Sequence, residues 1–367
     1  MSVLIFIAVL VVLIVVHEFG HFIVAKAAKM RVDEFGIGFP PKLFGKRKGE
    51  TEYTVNALPF GGFVRIFGED KASVSQDDPD LERAFFTKSK VKQALVLVAG
   101  VTANVLLAWV IFSAIFMTGT TVAEDDTNKG KLTDVAPRVL GVLPDSPASE
   151  AGIPAGLTVL KVVIENTEYA ISSGEELTSL ISSNAGEEIT LVGSVSGEER
   201  SFTITPQTGL IENAPGQAAV GISVARVGTL KLPFFEAIGK SFLETGELLI
   251  LITFGILGFL FSALTLSADL SQVAGPVGIA VLTGEAASLG FITLLQFTAF
   301  ISLNLAVINL LPFPALDGGR LLFLGIEALT RKEIPARFIQ VTNLAGFALL
   351  ILLMLAVTYG DIVRIAG

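Results

Sequence analysis

Cysteine is absent from this 367-residue chain, and histidine occurs only twice. The first absence excludes disulfides and every thiolate metal site. The second means that a metal held by imidazole is held by those same two residues, so that a third protein ligand has to be Asp or Glu. Charge is scarce too. Asp, Glu, Lys and Arg make up 17% of the chain against 51% hydrophobic residues, a balance more apolar than that of an average soluble domain. Positive charge is the scarcer sign, with 26 Lys and Arg against 35 Asp and Glu and a net charge of -9. No basic arm is visible, so nucleic acid is not expected as a partner. The composition is that of an integral membrane protein.

The two histidines, His17 and His21, lie in one motif, His17-Glu18-Phe19-Gly20-His21, inside an apolar run. H-E-x-x-H puts two imidazoles one turn apart on one helix face with a carboxylate beside them, the arrangement of zinc hydrolases. A Glu and two His within hydrocarbon are costly, which makes them a functional site by default. The run, roughly 3–25, lacks the positive n-region of a secretory signal peptide, and its apolar stretch is too long for one. It reads as a retained transmembrane helix.

Four apolar segments reach the ~20 residues of a spanning helix: about 3–25, 93–118, 290–312 and 338–358. A fifth, about 237–266, carries Lys240, Glu244 and Glu247 in its first turns. The 26–92 loop holds thirteen Lys and Arg, and the 319–337 loop holds Arg320, Arg331, Lys332 and Arg337. Segment 119–236 holds seven Lys and Arg against sixteen Asp and Glu. By the positive-inside rule the basic loops are cytoplasmic and the acidic region external. Four spans satisfy that pattern with the N-terminus outside, which leaves 237–266 half-inserted or interfacial. At ~1.5 Å per residue, His17 lies about 21 Å along the first span, in the cytoplasmic half. The third span runs in the same direction, so a third ligand is expected just past its end.

There the chain reads Asn309-Leu-Leu-Pro312-Phe-Pro314-Ala-Leu-Asp317-Gly318-Gly319-Arg320. Two prolines unwind the helix end and two glycines permit tight backbone geometry. Asp317 either caps a helix in an ordinary cytoplasmic turn or completes the ligand set, and the lack of other His and Cys favours the ligand. Asn309 offers a donor and an acceptor. It suits either the freed backbone of an unwound substrate or an interhelical hydrogen bond.

H-E-x-x-H in the first span with N-x-x-P-x-P-x-L-D-G-G in a later one resembles the site-2 protease family of zinc intramembrane metalloproteases, most closely its bacterial RseP-like branch. The resemblance implies that His17, His21 and Asp317 bind zinc, that Glu18 is the catalytic acid/base and that Asn309 holds substrate backbone. The segments 35–40 and 51–69, alternating and broken by Gly and Pro, resemble the family's membrane-associated β-hairpin, whose edge can pair with an unwound substrate. Val98-Ala-Gly100-Val101-Thr102-Ala103-Asn104 resembles a family motif in which Pro usually follows the Gly; Val101 stands there in this chain. Its small residues allow close packing, and Asn104 is expected to hydrogen-bond across helices toward the site and its substrate. Segment 271–279, with Gly275-Pro276, resembles a family turn followed by a helix.

The external region resembles one PDZ domain, on Val139–Leu143, Ser146–Gly152 and Gly156–Val162. Glu175–Ser183 would be its helix, and Glu188–Val195 and Arg200–Thr205 its late strands. Leu157-Thr158 replaces the usual Gly-Asp. The expected fold is therefore a multi-pass α-helical membrane protein of about four spans, with a membrane-associated β-hairpin and one external PDZ-like α+β domain. Its expected parts are an N-terminal membrane core (1–118), the PDZ-like domain (119–210), a linker with a membrane-associated helix (211–289) and a C-terminal membrane core (290–367). The expected function is zinc-dependent cleavage of transmembrane segments in the cell's inner membrane, in its cytoplasmic half, with anti-sigma factors or remnant signal peptides as substrates. A catalytically silent PDZ-like binding protein is the alternative that the intact His17, Glu18, His21 and Asp317 oppose. A metal transporter would need polar residues along several spans, which the sequence lacks.

Overall fold

The computed structural model describes residues 2–366 apart from 72–73, 76, 196, 211–213, 215, 266 and 268–272. Ser271 and Gln272, which open the Gly275-Pro276 segment, lie outside the described residues. The chain forms two compact units, one of residues 1–115 with 234–367 and the other of 116–233.

The first unit is built on helices α1 (Ser2–Ala27), α2 (Lys90–Thr118), α5 (Phe234–Leu264), α6 (Pro276–Ser288), α7 (Phe291–Leu310), α8 (Asp317–Thr330) and α9 (Ala336–Ala366). Among the described residues five of these, α1, α2, α5, α7 and α9, are long and apolar enough to cross a membrane. Their large apolar side chains remain open outward, as at Leu4, Phe254 and Leu344, each at least 70% exposed, the state expected where lipid is the solvent. The segment read from sequence as half-inserted is one unbroken helix, α5, of 31 residues. Its early charges do not interrupt it because Lys240 and Glu244 pair with one another at 3.8 Å across one turn.

Between α1 and α2 the chain makes a long antiparallel hairpin, β1 (Val32–Lys48) and β2 (Thr51–Ile66). Its root packs on the C-terminal half of α1: Phe22 meets Phe35 and Tyr53 edge-on, and Val32 and Ile66 join Ala25, Met30 and Val96 in a buried cluster. The helix order in space follows from close contacts. A Cβ at Gly284 of α6 would touch Ser2 of α1, and the backbone N–H groups of Gly275 and Gly278 donate to Asp361 near the end of α9. So α6 lies where α1 begins and α9 ends, and α7 follows it, packed on α5.

The second unit is a seven-stranded antiparallel sheet of β3 (Thr120–Ala123), β4 (Leu132–Val142), β5 (Thr158–Ile164), β6 (Thr167–Ala170), β7 (Ile189–Val195), β8 (Glu198–Ile204) and β9 (Ile222–Leu230), with α3 (Pro147–Glu150) and α4 (Gly174–Ser183). The strand order is β3-β9-β4-β5-β7-β8, with β6 on β5. Alternation along β7 turns Ile189 and Leu191 into a core closed by Leu177 and Ile181 of α4, and a register shift between Val159 and Lys161 of β5 lets Val159 and Val162 both turn into it. Ser173 caps α4 by accepting from the Glu176 N–H, while the Glu176 carboxylate accepts from Ser172. The sheet includes β9, which falls in the stretch expected to be linker, and the unit runs on to Pro233.

Candidate metal centre

His17 and His21 stand one turn apart on the buried face of α1. Asp317 is brought to them by the end of α7. That helix stops at Leu310, Pro312 and Pro314 follow, and Ala315 takes a positive φ of 75°. Asn343 of α9 accepts the Ala315 N–H at 3.2 Å, and a Cβ at Gly346 would stand 2.6 Å from the Pro314 carbonyl, so α9 fastens the turn. Cβ atoms at Gly318 and Gly319 would each come within 2.2 Å of carbonyls at Leu311 and Phe313. Only glycine permits so tight a return, and it leaves Asp317 on the first turn of α8, where the helix dipole favours a carboxylate.

The three donors converge. His17 Nε2 lies 3.1 Å from Asp317 Oδ2, His21 Nε2 lies 3.2 Å from the same oxygen, and the two Nε2 atoms are 3.2 Å apart. A tetrahedral ion with bonds of about 2.0–2.1 Å holds its ligands about 3.3–3.4 Å apart. The donor triangle therefore fits a zinc-sized ion to within a few tenths of an ångström. Both imidazoles are buried. His21 donates its Nδ1–H to the Val96 carbonyl at 2.7 Å, which turns its Nε2 lone pair inward. His17 Nδ1 is buried and has no partner.

Glycines carry the backbones close enough for this. A Cβ at Gly100 of α2 would stand 2.3 Å from His21 Nε2 and 2.7 Å from His17 Cε1, and one at Gly20 of α1 would stand 2.4 Å from the Ala99 carbonyl. Glu18 is half-buried beside the donors. Gly62 of β2 comes next to it, with its Cβ direction 3.3 Å from Glu18 Cγ, so the hairpin overlies the carboxylate. One turn beyond Asp317, Arg320 pairs with Glu69. Enclosure alone would weaken the Arg320 cation; the Glu69 charge opposite outweighs it and raises the guanidinium above its ordinary value. A cavity of about 630 Å³ opens there, lined by Glu69, Lys90, Arg320, Phe323, Glu333 and Gln340.

The two expected asparagines lie on α2 and α7. Asn309 is on the last turn of α7, half-buried. Asn104 is wholly enclosed, with neither atom of its amide partnered, and its backbone carbonyl accepts the Ser302 hydroxyl at 2.9 Å. Sequence reasoning did not find Gly20, Gly62, the Val96 carbonyl or Asn343. Of these only Asn343 carries a signal, a polar residue within an apolar span.

The chain is similar to several known proteins. The model of peptidase family M50 matches residues 5–353. A proposed zinc metalloprotease of Clostridium perfringens (strain 13 / Type A) is 39% identical, over 96% of this chain and 95% of its own. The zinc metalloprotease RasP of Oceanobacillus iheyensis is 31% identical over 99% of each chain. RasP of Geobacillus kaustophilus is 30% identical, over 98% of this chain and 97% of its own. Among solved structures, the PDZ domain of an SdrC-like protein from Listeria monocytogenes matches 26% of this chain and 92% of its own, at 20% identity and a TM-score of 0.22.

Proposed function

Because the chain belongs to peptidase family M50, the site-2 proteases, and is a metalloendopeptidase, we propose that it uses zinc to cut transmembrane segments of other membrane proteins within the bilayer. The observation that carries this reading is the convergence of His17, His21 and Asp317 beside Glu18 on an apolar helix.

His17, His21 and Asp317 would hold the zinc, which when bound would supply Lewis acidity and activate a water. Glu18 accepts the proton of the attacking water and returns it to the leaving amine. Val96 keeps His21 in the tautomer that presents Nε2. The hairpin overlying Glu18 supplies backbone groups to a substrate that has left its helix, by strand addition at 61–63. Asn309 receives a freed substrate carbonyl or N–H, and the cavity at Arg320 admits water. The thirteen Lys and Arg of 26–92 support a cytoplasmic hairpin and an active centre in the cytoplasmic half of the inner membrane. The acidic unit 116–233 is then external and PDZ-like. Its groove of about 480 Å³ between α4 and residues 217–224 takes a peptide end or sets a limit on substrate size. Anti-sigma factors already trimmed outside, or remnant signal peptides, fit such a filter.

The test is cleavage of a purified single-span substrate in detergent. Cuts within the span that are abolished by Glu18→Gln and by chelation, and restored by zinc, support the reading. A wild-type protein that takes up no metal overturns it.

A further inference from the structure

Among the described residues, four buried side-chain atoms have no hydrogen-bond partner, and three of them belong to two residues: His17 Nδ1 and both polar atoms of the Asn104 amide. Native interiors rarely leave such groups unpaired, so a cluster of them asks for an explanation. The two residues share one helix interface. His21 donates to Val96 and touches Gly100; His17, one turn earlier on α1, has its Cε1 2.7 Å from the Cβ direction of Gly100. The helices run in opposite directions, so going back along α1 is going forward along α2. Asn104 is the next residue on the Gly100 face, one turn on, with neighbouring Cβ positions about 5–6 Å apart. Cε1 joins the two ring nitrogens of His17. Nε2 is turned to Asp317, and Nδ1, the other neighbour of Cε1, is buried and unpaired.

We propose that Asn104 is the positioning residue of His17: its Oδ1 accepts the His17 Nδ1–H through one water, as the Val96 carbonyl accepts that of His21 directly. Both imidazoles are then fixed as Nδ1–H tautomers with Nε2 lone pairs aimed at the same point. Ser302 of α7, by donating to the Asn104 carbonyl, ties this residue to the helix that leads to Asp317. The inference rests on the metal-centre reading above, and it assigns Asn104 to the metal's outer sphere instead of to substrate.

The experiment uses the full-length protein in detergent, stripped of metal. Zinc affinity is measured by competition with a chromophoric chelator, and the melting temperature of the metal-free protein is measured alongside. Asn104→Leu, near in size and without polar atoms, should weaken zinc binding 10–100-fold, with the metal-free melting temperature unchanged or higher. Asn104→Asp should keep zinc affinity at or above the wild-type level. Because the chain has only two histidines, ring-¹⁵N-histidine spectra show two residues and no others. Asn104→Leu should move the His17 Nδ1 signal and leave that of His21 in place. Wild-type zinc affinity and unchanged His17 signals in Asn104→Leu overturn the proposal, as does a loss of affinity matched by an equal loss of metal-free stability. If Asn104→Leu does not fold, a wild-type His17 ring found as the Nε2–H tautomer overturns it instead. Failure of the wild type itself to bind zinc overturns the metal-centre reading as well, which separates the two failures.

Discussion

Gly100 lies so close to His21 that a Cβ in its place would stand 2.3 Å from the Nε2 atom. The second helix is thus pressed against the donors themselves, and the smallest residue is what allows it. Gly100→Ala should displace the His21 ring from its hydrogen bond with Val96. The expected result is a loss of zinc affinity of tenfold or more, with ~1–3 kcal/mol of overpacking strain in the fold. Metal titration read beside the melting temperature checks it.

Glu18 is not one of the converging donors. Glu18→Gln should therefore keep both fold and zinc while lowering kcat by about 10²–10⁴. Asp317→Asn should instead lose metal, since a neutral amide is a poor third ligand for a site with two imidazoles. Zinc content per chain and single-turnover cleavage distinguish the two variants.

How much of this was legible in the sequence depends on whether the signal is local. His17, Glu18 and His21 are legible because a helical turn fixes their relation within five residues. Asp317 is legible because prolines and glycines surround a carboxylate at a helix end. The strand β9 was not, because its partners β3 and β4 lie about 80–110 positions earlier and its own run is too mixed to mark a pairing. The helix α5 was legible from its apolar run, but whether it crosses was not, because a fifth full span conflicts with the loop charges on either side. The Val96 carbonyl has no sequence signature at all, being backbone. Gly20 marks a close approach only when the neighbour is known, whereas Gly100 lies in the small-residue run that already suggested one.

Asp361 is almost wholly enclosed, at 1% exposure. It accepts from Gly278 N–H at 2.7 Å and Gly275 N–H at 3.2 Å, and from Arg364 at 2.8 Å. It thereby caps α6 from α9 and holds two helices together. Asp361→Leu leaves those N–H groups buried and unmet, at a cost of about 2–4 kcal/mol. The expected reading is a lower melting temperature with zinc affinity unchanged.

Glu50 at the hairpin turn ties α1 to the 81–87 segment, accepting from Lys26 and Arg83, each at 2.5 Å. Burial alone would push its carboxyl up, but the two cations outweigh it and hold it below its ordinary value. A depressed carboxylate stabilises the fold fully above its unfolded pKa, ~4.3, and stops doing so as pH falls through the lower folded value. The exposed rim limits this to ~0.5–1 kcal/mol. Melting temperature should drop as pH falls below about 4.3, and Glu50→Gln should reduce that drop.

The absence of cysteine leaves no native thiol to block, so single introduced cysteines can settle how many helices cross. Helix α5 begins beside the C-terminal part of α2, where Trp109 donates to the Ile238 carbonyl and Ser113 meets Ser241. Helix α6 then starts at Gly275, held by Asp361, on the side where α1 begins. From Thr265 to Gly275 the chain has ten residues, a reach of at most ~35 Å when fully extended. After a complete crossing by α5 the return across a hydrocarbon core of ~30 Å would use nearly all of that reach. Phe235→Cys and Thr265→Cys should therefore both react with an impermeant thiol reagent applied from the external side, giving four crossing helices with α5 inserted partway. Labelling of the two from opposite sides would instead make α5 a fifth span, with residues 265–274 crossing back.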